Sequence, residues 1–183
     1  MNKNQKFGII DEIEWVHKDK NGKVIKRYKS NTRWNRLLRG LHLKRHECIV
    51  ADGMANVAGL LLLDIGGTAY DYIGIGTGTT PADVADTQLQ TQRGVKQAAV
   101  GTRITTTQTN DTAQLVATFS QAIDSTLTGT DNISEVGVFA LTETSPSEVW
   151  SMLWRQTFIA ESLNWDAGDT FEMTCKTQIK QGS

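Results

Sequence analysis

Residues 70–183 form a succession of short β-favouring runs, and this pattern limits the fold more than any other feature of the chain. The runs are rich in Thr, Val, Ile and aromatic residues and are divided by turn-forming Gly, Asp and Asn. They read YIGIG, GTRITTTQT, AQLVATFS, ISEVGVFAL, VWSMLWRQTFIA and DTFEMTCKTQIK. Strands that follow one another without intervening helices favour antiparallel pairing. We therefore predict a mainly β, α+β protein whose body is an antiparallel β-sandwich or a barrel-like sheet.

The last of these runs also predicts which of its side chains are buried. Phe171, Met173, Cys175 and Thr177 alternate with polar residues, as expected for a strand with one covered face. In the run before it, Trp150 and Trp154 are expected on one side of the strand, in the core or at a subunit interface.

A β-hairpin is predicted for residues 7–28. Two runs of alternating character flank Asn21 and Gly22. Asn-Gly is the strongest short hairpin signal because both residues tolerate a positive φ. The hairpin would precede the β-rich body in the chain.

One or two short helices are expected between the hairpin and the strands. A basic amphipathic helix is indicated by an apolar stripe at i, i+3, i+4 and i+7, with arginines between the apolar positions; the stripe is Trp34, Leu37, Leu38 and Leu41. A second helical pattern covers residues 49–63 and is weakened by Gly53 and Gly59, each of which costs about 1 kcal/mol relative to Ala. Small residues there would allow close packing of the helix.

The charges are distributed unevenly along the chain, although the net charge is only −1. Residues 18–45 contain eleven Lys or Arg and a single acid, Asp19, whereas residues 47–183 contain six basic and sixteen acidic residues. We predict two units: residues 1–47, a basic arm made of the hairpin and the helix, and residues 48–183, a β-rich body with one packing helix. The candidate docking residues of the arm are Arg33, Trp34, Arg36, Arg39, Lys44 and Arg45.

The basic arm has three interpretations. It can dock on the acidic face of a neighbouring copy, it can be a solvated surface, or it can bind the phosphate backbone of nucleic acid. The apolar stripe between the arginines favours docking. Nucleic acid is therefore the alternative partner.

A phosphate site is the other chemistry that the glycines suggest. DIGGT at residues 64–68 resembles the first phosphate motif of sugar kinases and actin-like ATPases, and GTGTT at residues 76–80 resembles a tubulin-like phosphate loop. No Gly-Lys-Ser/Thr follows, and no helix is predicted directly after the second motif. The structural interpretation is stronger, with glycines shaping a strand end and Pro81 fixing the start of a polar loop.

Other catalytic or metal chemistry has little support. His42, His46 and Cys48 lie close in sequence, but Lys44 and Arg45 between the imidazoles add like charge, and no second Cys or His group accompanies them. No nucleophile motif is present. We expect no enzyme activity and no cofactor, and whether Cys48 pairs with Cys175 stays open.

No membrane association or export is expected. No run approaches the roughly 18 apolar residues of a membrane helix. The opening MNKNQKFGIIDEIEW is polar and acidic, unlike a secretory signal.

Taken in order, several segments resemble virion proteins of tailed bacteriophages, including the collar-type domains of tail fibres. The segments are a glycine-bearing helix, a strand ending in Gly-x-Gly, a loop with Pro and Asp-Thr-x-Leu, a following Arg, a β pair ending in LVATFS, an Ile-x-Glu-Val-Gly strand, the strand WSMLWRQTF and a Gly-Asp strand. They match residues 51–63, 73–78, 81–89, 93, 115–120, 133–139, 150–158 and 168–169. The resemblance covers residues 50–180.

The resemblance implies a non-enzymatic structural component of the virion that assembles in several copies on the capsid or tail. A decoration, collar or adaptor role would fit, and the position on capsid or tail stays open. Its partners would be copies of itself, as a trimer or ring, and the major capsid or tail proteins; it would be found in the virion, and in the host cytoplasm during assembly. The candidate assembly loop comprises Pro81, Asp83, Asp86, Leu89 and Arg93, with Asp83 or Asp86 bonded to backbone amides at a turn and Leu89 as the anchor.

Overall fold

The computed structural model describes residues 7–30, 47–61, 67–106, 109, 111–144 and 147–181. Strands are the main secondary structure of the described residues, so the predicted mainly β, α+β class is confirmed. The elements are β1 (Phe7–Lys18), β2 (Val24–Lys29), β3 (Glu47–Ile49), α1 (Ala51–Leu61), β4 (Tyr72–Gly76), β5 (Gln92–Ala98), β6 (Val100–Ile104), β7 (Thr112–Phe119), β8 (Thr130–Glu143), β9 (Val149–Asn164), a 3-10 turn (Trp165–Ala167) and β10 (Thr170–Gln181).

The strands form two five-stranded antiparallel sheets. Sheet A has the order β2-β1-β10-β7-β6, and sheet B has the order β3-β9-β8-β4-β5. The sheets are not closed into a barrel, so the sandwich is the architecture that forms. The chain changes sheets between β5 and β6, where Ala99 is the only residue between the two strands.

The main core lies between the sheets, because its buried side chains come from both. Sheet A contributes Ile13, Trp15, Phe119, Phe171 and Met173, and sheet B contributes Ile73, Ile75, Val136, Val138 and Trp154. Phe171, Met173 and Cys175 are all buried on one face of β10, which confirms the predicted alternation. Full burial of each large apolar side chain stabilises the fold by about 1.5–3 kcal/mol.

The predicted hairpin forms, but it is part of the sandwich and not an arm. Strand β1 pairs with β10 along its whole length and with β2 on its other side, and Gly22 in the turn has φ +77°. Ile13 and Trp15 are buried in the main core. The hairpin therefore cannot be detached from the body. Residues 31–46 lie outside the described residues, so a separate basic unit stays a prediction for that segment.

Helix α1 confirms the predicted packing helix, and Gly53 explains its close approach to β9. A Cβ added at Gly53 would lie 2.4 Å from the carbonyl oxygen of Leu153, which is closer than any real contact. The same carbonyl accepts a 3.0 Å hydrogen bond from the Val50 amide. The helix therefore covers the edge of β9 beside the short strand β3. The predicted basic helix lies outside the described residues.

A smaller core lies on the other face of sheet B. It contains Val50, Leu89, Phe139 and Met152, with Trp150 packed against it. The register of β8 and β9 shifts at this point: Val138 pairs with Trp154, but Phe139 pairs with Met152. The resulting bulge puts Trp150 and Trp154 on opposite faces of β9, so the prediction that they share one side was wrong.

Candidate functional site

The loop between β4 and β5, residues 77–91, packs against the outer face of sheet B. We call it the assembly loop, and it contains four of the five predicted residues, Pro81, Asp83, Asp86 and Leu89. The fifth, Arg93, lies in β5. Residues 79–81 and 83–85 are exposed at the tip, whereas Leu89 is buried. The structure therefore brings Pro81, Asp83, Asp86 and Leu89 together in one loop, and Arg93 lies in the strand that follows it.

A buried arginine holds the loop tip in place. The Arg155 side chain is fully buried, and its Nη1 lies 2.9 Å from Oε2 of the equally buried Glu135. Its Nε donates to Oδ2 of Asp86 at 2.8 Å, and its Nη2 donates to the carbonyls of Thr80 and Pro81 at 2.9 and 3.0 Å. One guanidinium thus binds both sides of the tip, with the planar array of donors that only arginine offers.

Glu135 holds the two stems of the same loop. Its Oε1 accepts hydrogen bonds from the amides of Gly78 and Thr91 at 3.0 and 2.8 Å, and its Oε2 accepts one from the amide of Gln90 at 3.1 Å. A buried charge is tolerated when it is paired and fully hydrogen-bonded. The carboxylate therefore closes the base of the loop.

Glycines at alternate positions make room for these contacts. Gly74 pairs with Gly137 on the neighbouring strand, and added Cβ atoms would lie 3.3 and 3.1 Å from the Leu89 methyl groups, respectively. A Cβ at Gly76 would lie 2.5 Å from Oε1 of Glu135. Alternate residues of a strand share one face, so the repeated glycines leave a floor on which Leu89 and the Glu135 carboxylate lie.

The hydrogen bonds of Glu135 argue against the phosphate hypothesis for residues 76–80. In a phosphate loop, backbone amides point at the bound anion. Here the amides of Gly78 and Thr91 donate to the carboxylate of Glu135. The protein's own carboxylate therefore occupies the position that a phosphate would need.

The two aspartates of the loop form the predicted bonds to backbone amides. Oδ1 of Asp83 accepts from the amide of Ala85, and Oδ2 of Asp86 accepts from the amide of Asp83, both at 2.9 Å. Asp86 therefore joins the turn to Arg155, since the same oxygen binds both. Leu89 anchors the far stem in the smaller core.

Arg93 lies outside this network and attaches β5 to the start of β8. Its Nε is 2.9 Å from Oδ1 of Asp131, and Oδ2 of Asp131 accepts a 2.8 Å hydrogen bond from the Trp165 indole. The next residue, Gly94, has φ +64° within an irregular stretch of the β4–β5 pairing. The assembly loop thus ends at a strand whose position is fixed by an ion pair.

Asp124 supports the same irregular stretch of β5. Its Oδ2 accepts a 2.6 Å hydrogen bond from the amide of Val95, and its Oδ1 accepts from the amide and hydroxyl of Thr126. Burial tends to raise the pKa of Asp124, but these hydrogen bonds outweigh burial and lower the pKa. The ionised carboxylate is therefore the form that the fold favours.

Sequence reasoning missed the two residues at the centre of the site, Glu135 and Arg155. Each is a lone charge inside a strand that is otherwise apolar, ISEVGVFAL and WSMLWRQTF. A charged residue is almost never fully buried unless it is paired. Two predicted strands that each carry one charge, of opposite sign, therefore indicated that Glu135 and Arg155 could pair. The glycines at alternate positions of YIGIGTG were a second signal, because they leave space beside the strand for other side chains.

Several other predictions lie outside the described residues. These are the docking set Arg33, Trp34, Arg36, Arg39, Lys44 and Arg45, the pair His42 and His46, and Asp64 of DIGGT. The Cys48 side chain is also outside them, whereas Cys175 is buried in the main core. The basic docking residues therefore stay predictions, and whether Cys48 pairs with Cys175 stays open.

Three further observations concern metal-ligand groups, membrane-spanning helices and similarity to known proteins. Within the described ranges, no three or more His, Cys, Asp or Glu side chains are grouped as metal ligands would be. Of the helical residues that the structure describes, none belongs to a helix long and apolar enough to span a bilayer. No protein-family model, no curated protein and no solved structure matches the chain.

Proposed function

We propose that the chain is a non-enzymatic structural subunit of a tailed-phage virion that assembles in several copies on the capsid or tail. One observation carries the proposal: three segments of the resemblance, far apart in sequence, meet in one construction. The loop with Pro81 and Asp86, the strand with Glu135 and the strand with Arg155 are joined by a buried ion pair and its hydrogen bonds.

The construction supports assembly because it presents a surface loop in a fixed shape. The loop tip is exposed, including Val84 at 47%, while its stems and Asp86 are bound to the body. A loop that is ordered before binding loses little conformational entropy on contact with a partner. Such a loop suits a contact that must be repeated identically in many copies.

Exposed sheet edges and exposed apolar side chains also support assembly in several copies. Strand β6 forms one edge of sheet A, and its Val100 is 71% exposed. Ile159 in β9 is 78% exposed. Uncovered edges and large exposed apolar side chains promote association unless a neighbour covers them. Copies of the chain, as a trimer or ring, and a major capsid or tail protein are the partners we propose.

The assembly role is tested by changing the loop tip. We expect the purified chain to form an oligomer in light scattering and native mass spectrometry, and Val84→Asp to weaken it. The matched control is Ile123→Asp, which also adds a charge at an exposed apolar residue, 56% exposed, outside the loop. A wild-type chain that stays monomeric at all concentrations would refute multi-copy assembly.

The virion role is tested in particles and in the genome. Mass spectrometry of phage particles released by cells that encode the chain should find it at a fixed copy number relative to the major capsid protein. Absence from the particles would refute the role. A neighbouring major capsid gene would favour decoration, and neighbouring baseplate genes would favour the tail.

The alternative function is a nucleic-acid-binding accessory protein. Residues 31–46 contain five Lys or Arg and no acid, which favours phosphate contacts. Binding would weaken steeply with salt, because each phosphate contact releases counterions. A steep salt dependence that Arg33→Ala, Arg36→Ala and Arg39→Ala together abolish would establish this function, and the absence of binding near roughly 100 mM salt would remove it.

A further inference from the structure

Four exposed carboxylates differ from the other acids of the protein. Most acidic side chains form ion pairs or accept backbone hydrogen bonds, as Glu135, Asp83 and Asp124 do. In the part of the chain that the structure describes, four exposed acids form no ion pair within 4.0 Å and no side-chain hydrogen bond; they are Asp52, Asp71, Glu143 and Glu148.

All four lie at one end of sheet B. Asp71 directly precedes Tyr72, which pairs with Phe139, and Glu143 pairs with Val149 near the end of β8. Glu148 directly precedes β9. Asp52 begins α1 close to Tyr70, whose pKa is raised by burial and further by the charge of Asp52. The hydroxyl of Tyr70 in turn lies 3.3 Å from Oγ of Ser151 in β9.

The same end of the sheet carries an aromatic surface that already binds a cation. The rings of Tyr72 and Trp150 meet edge to face with centroids 4.9 Å apart, and both side chains are only half-buried. Nζ of Lys96 lies 4.8 Å from the ring centre of Phe139 and 4.7 Å from that of Trp150. We call Tyr72, Trp150, Glu143 and Glu148 the acidic aromatic face.

We propose that the acidic aromatic face is the docking site for residues 31–46 of a second copy of this chain. The segment supplies Arg33, Arg36 and Arg39 beside Trp34 and four leucines, with no acid. Guanidinium groups stack on Trp and Tyr rings and pair with carboxylates in a bidentate manner. The inference rests on the proposed multi-copy assembly and names the two surfaces that meet in it.

A second copy fits better than the same chain because of where the segment is anchored. Its ends are held at Ser30, whose amide donates to the Ile13 carbonyl, and at Glu47, which pairs with Gln156. Trp150 is six residues further along β9 and Glu148 eight, or about 20 and 26 Å at roughly 3.3 Å per residue. The midpoint of sixteen residues tied at both ends reaches about 27 Å when fully extended, and the helix predicted for this segment would shorten that reach.

The test uses two complementary variants of the full chain. The face variant is Glu143→Lys with Glu148→Lys, and the segment variant is Arg33→Glu, Arg36→Glu and Arg39→Glu. The face control, Thr118→Lys, Thr128→Lys and Asp166→Lys, adds the same positive charge at exposed positions near the opposite end of the sandwich. Circular dichroism and thermal unfolding establish that each is folded, and analytical ultracentrifugation measures self-association.

We expect each variant alone to self-associate roughly 10-fold or more weakly than wild type, since like charges at a contact are costly. The face control should assemble like wild type. An equimolar mixture of the two variants should form a heterodimer, because the intact segment of one meets the intact face of the other. A cis contact predicts no rescue on mixing, so a mixture that stays monomeric overturns the inference.

Two further outcomes separate this inference from the proposed function. If the face variant assembles like wild type while the segment variant does not, the segment docks elsewhere, and multi-copy assembly stands without this site. If the wild-type chain is monomeric, both the proposed multi-copy assembly and this inference are refuted. If the segment variant assembles normally but loses binding to a DNA duplex, the basic segment serves nucleic acid and the inference is wrong.

Discussion

The guanidinium of Arg155 and the carboxylate of Glu135 lie 2.9 Å apart with both side chains fully buried. Between them they bind Asp86 and five backbone groups of one surface loop. A buried ion pair of this kind adds little net stability compared with apolar packing, but removing one partner leaves an uncompensated charge. The pair therefore determines the shape of the loop more than the stability of the sandwich.

Glu135→Gln should destabilise the protein by about 3 kcal/mol, the lower part of the range for breaking a buried pair, because Asp86 remains beside Arg155. Glutamine keeps one oxygen that the amides of Gly78 and Thr91 can donate to. Its NH2 group replaces the Oε2 that accepts from Arg155 and Gln90, so the change removes the charge together with these two hydrogen bonds. Urea unfolding measures the loss. The double variant Glu135→Gln with Arg155→Met should recover part of it, and an equal or larger loss in the double variant would contradict the argument.

The antiparallel, mainly β fold class could be predicted because its strands carry strong local signals, whereas the choice between a sandwich and a barrel could not. Asn21 and Gly22 predicted the hairpin turn, and the alternation of Phe171, Met173 and Cys175 predicted the buried face of β10. The sequence did not predict that strand β1 of the hairpin would pair with β10 in sheet A. Pairing of Ile13 with Cys175 joins residues 162 positions apart in sequence, and no local pattern specifies which strand a hairpin edge will meet.

Gly53→Ala should destabilise the protein, although alanine favours a helix by about 1 kcal/mol. The added Cβ would lie 2.4 Å from the Leu153 carbonyl oxygen, a backbone atom that cannot rotate away, so α1 must move off β9. Overpacking of this kind costs about 1–3 kcal/mol. Thermal unfolding should show a lower midpoint. The comparison is Ala58→Gly at an exposed helix position, which should lose only about 1 kcal/mol; a gain in stability for Gly53→Ala would contradict the packing argument.

Glu14 should make stability depend on pH in acid. Burial tends to raise the pKa of Glu14, but hydrogen bonds and charges from Lys176 and Lys29 outweigh it and lower the pKa to about 2. Because the folded pKa lies below the ordinary value of 4.5, this stabilisation is present above pH 4.5 and is lost as the pH falls towards 2. Glu14→Gln should therefore lower the urea midpoint at pH 6 and have a much smaller effect at pH 2. Glu143→Gln, at an exposed carboxylate, is the control, and an equal loss at both pH values would exclude the ion-pair explanation.

The site was less predictable than the fold for a physical reason. Pro81, Asp83, Asp86 and Leu89 could be named because turns and anchors leave local patterns. Glu135 and Arg155 could not be paired without the register of β8 on β9, and a bulge between Val138 and Phe139 shifts that register by one residue. The same bulge separated Trp150 from Trp154, since a one-residue slip moves a side chain to the other face.

Removing residues 1–47 should abolish folding, whereas replacing residues 31–46 with a Gly/Ser linker of equal length should preserve the sandwich. The deletion takes away β1, which pairs with β10 along twelve residues, and the core side chains Ile13 and Trp15. The linker keeps both anchors at Ser30 and Glu47, and a flexible loop of the same length changes the closure entropy little. Near-ultraviolet circular dichroism and cooperative thermal unfolding distinguish the two proteins. A 48–183 fragment that melts cooperatively would show that sheet A forms without β1 and β2, and the hairpin would then be the separate unit that its basic composition first indicated.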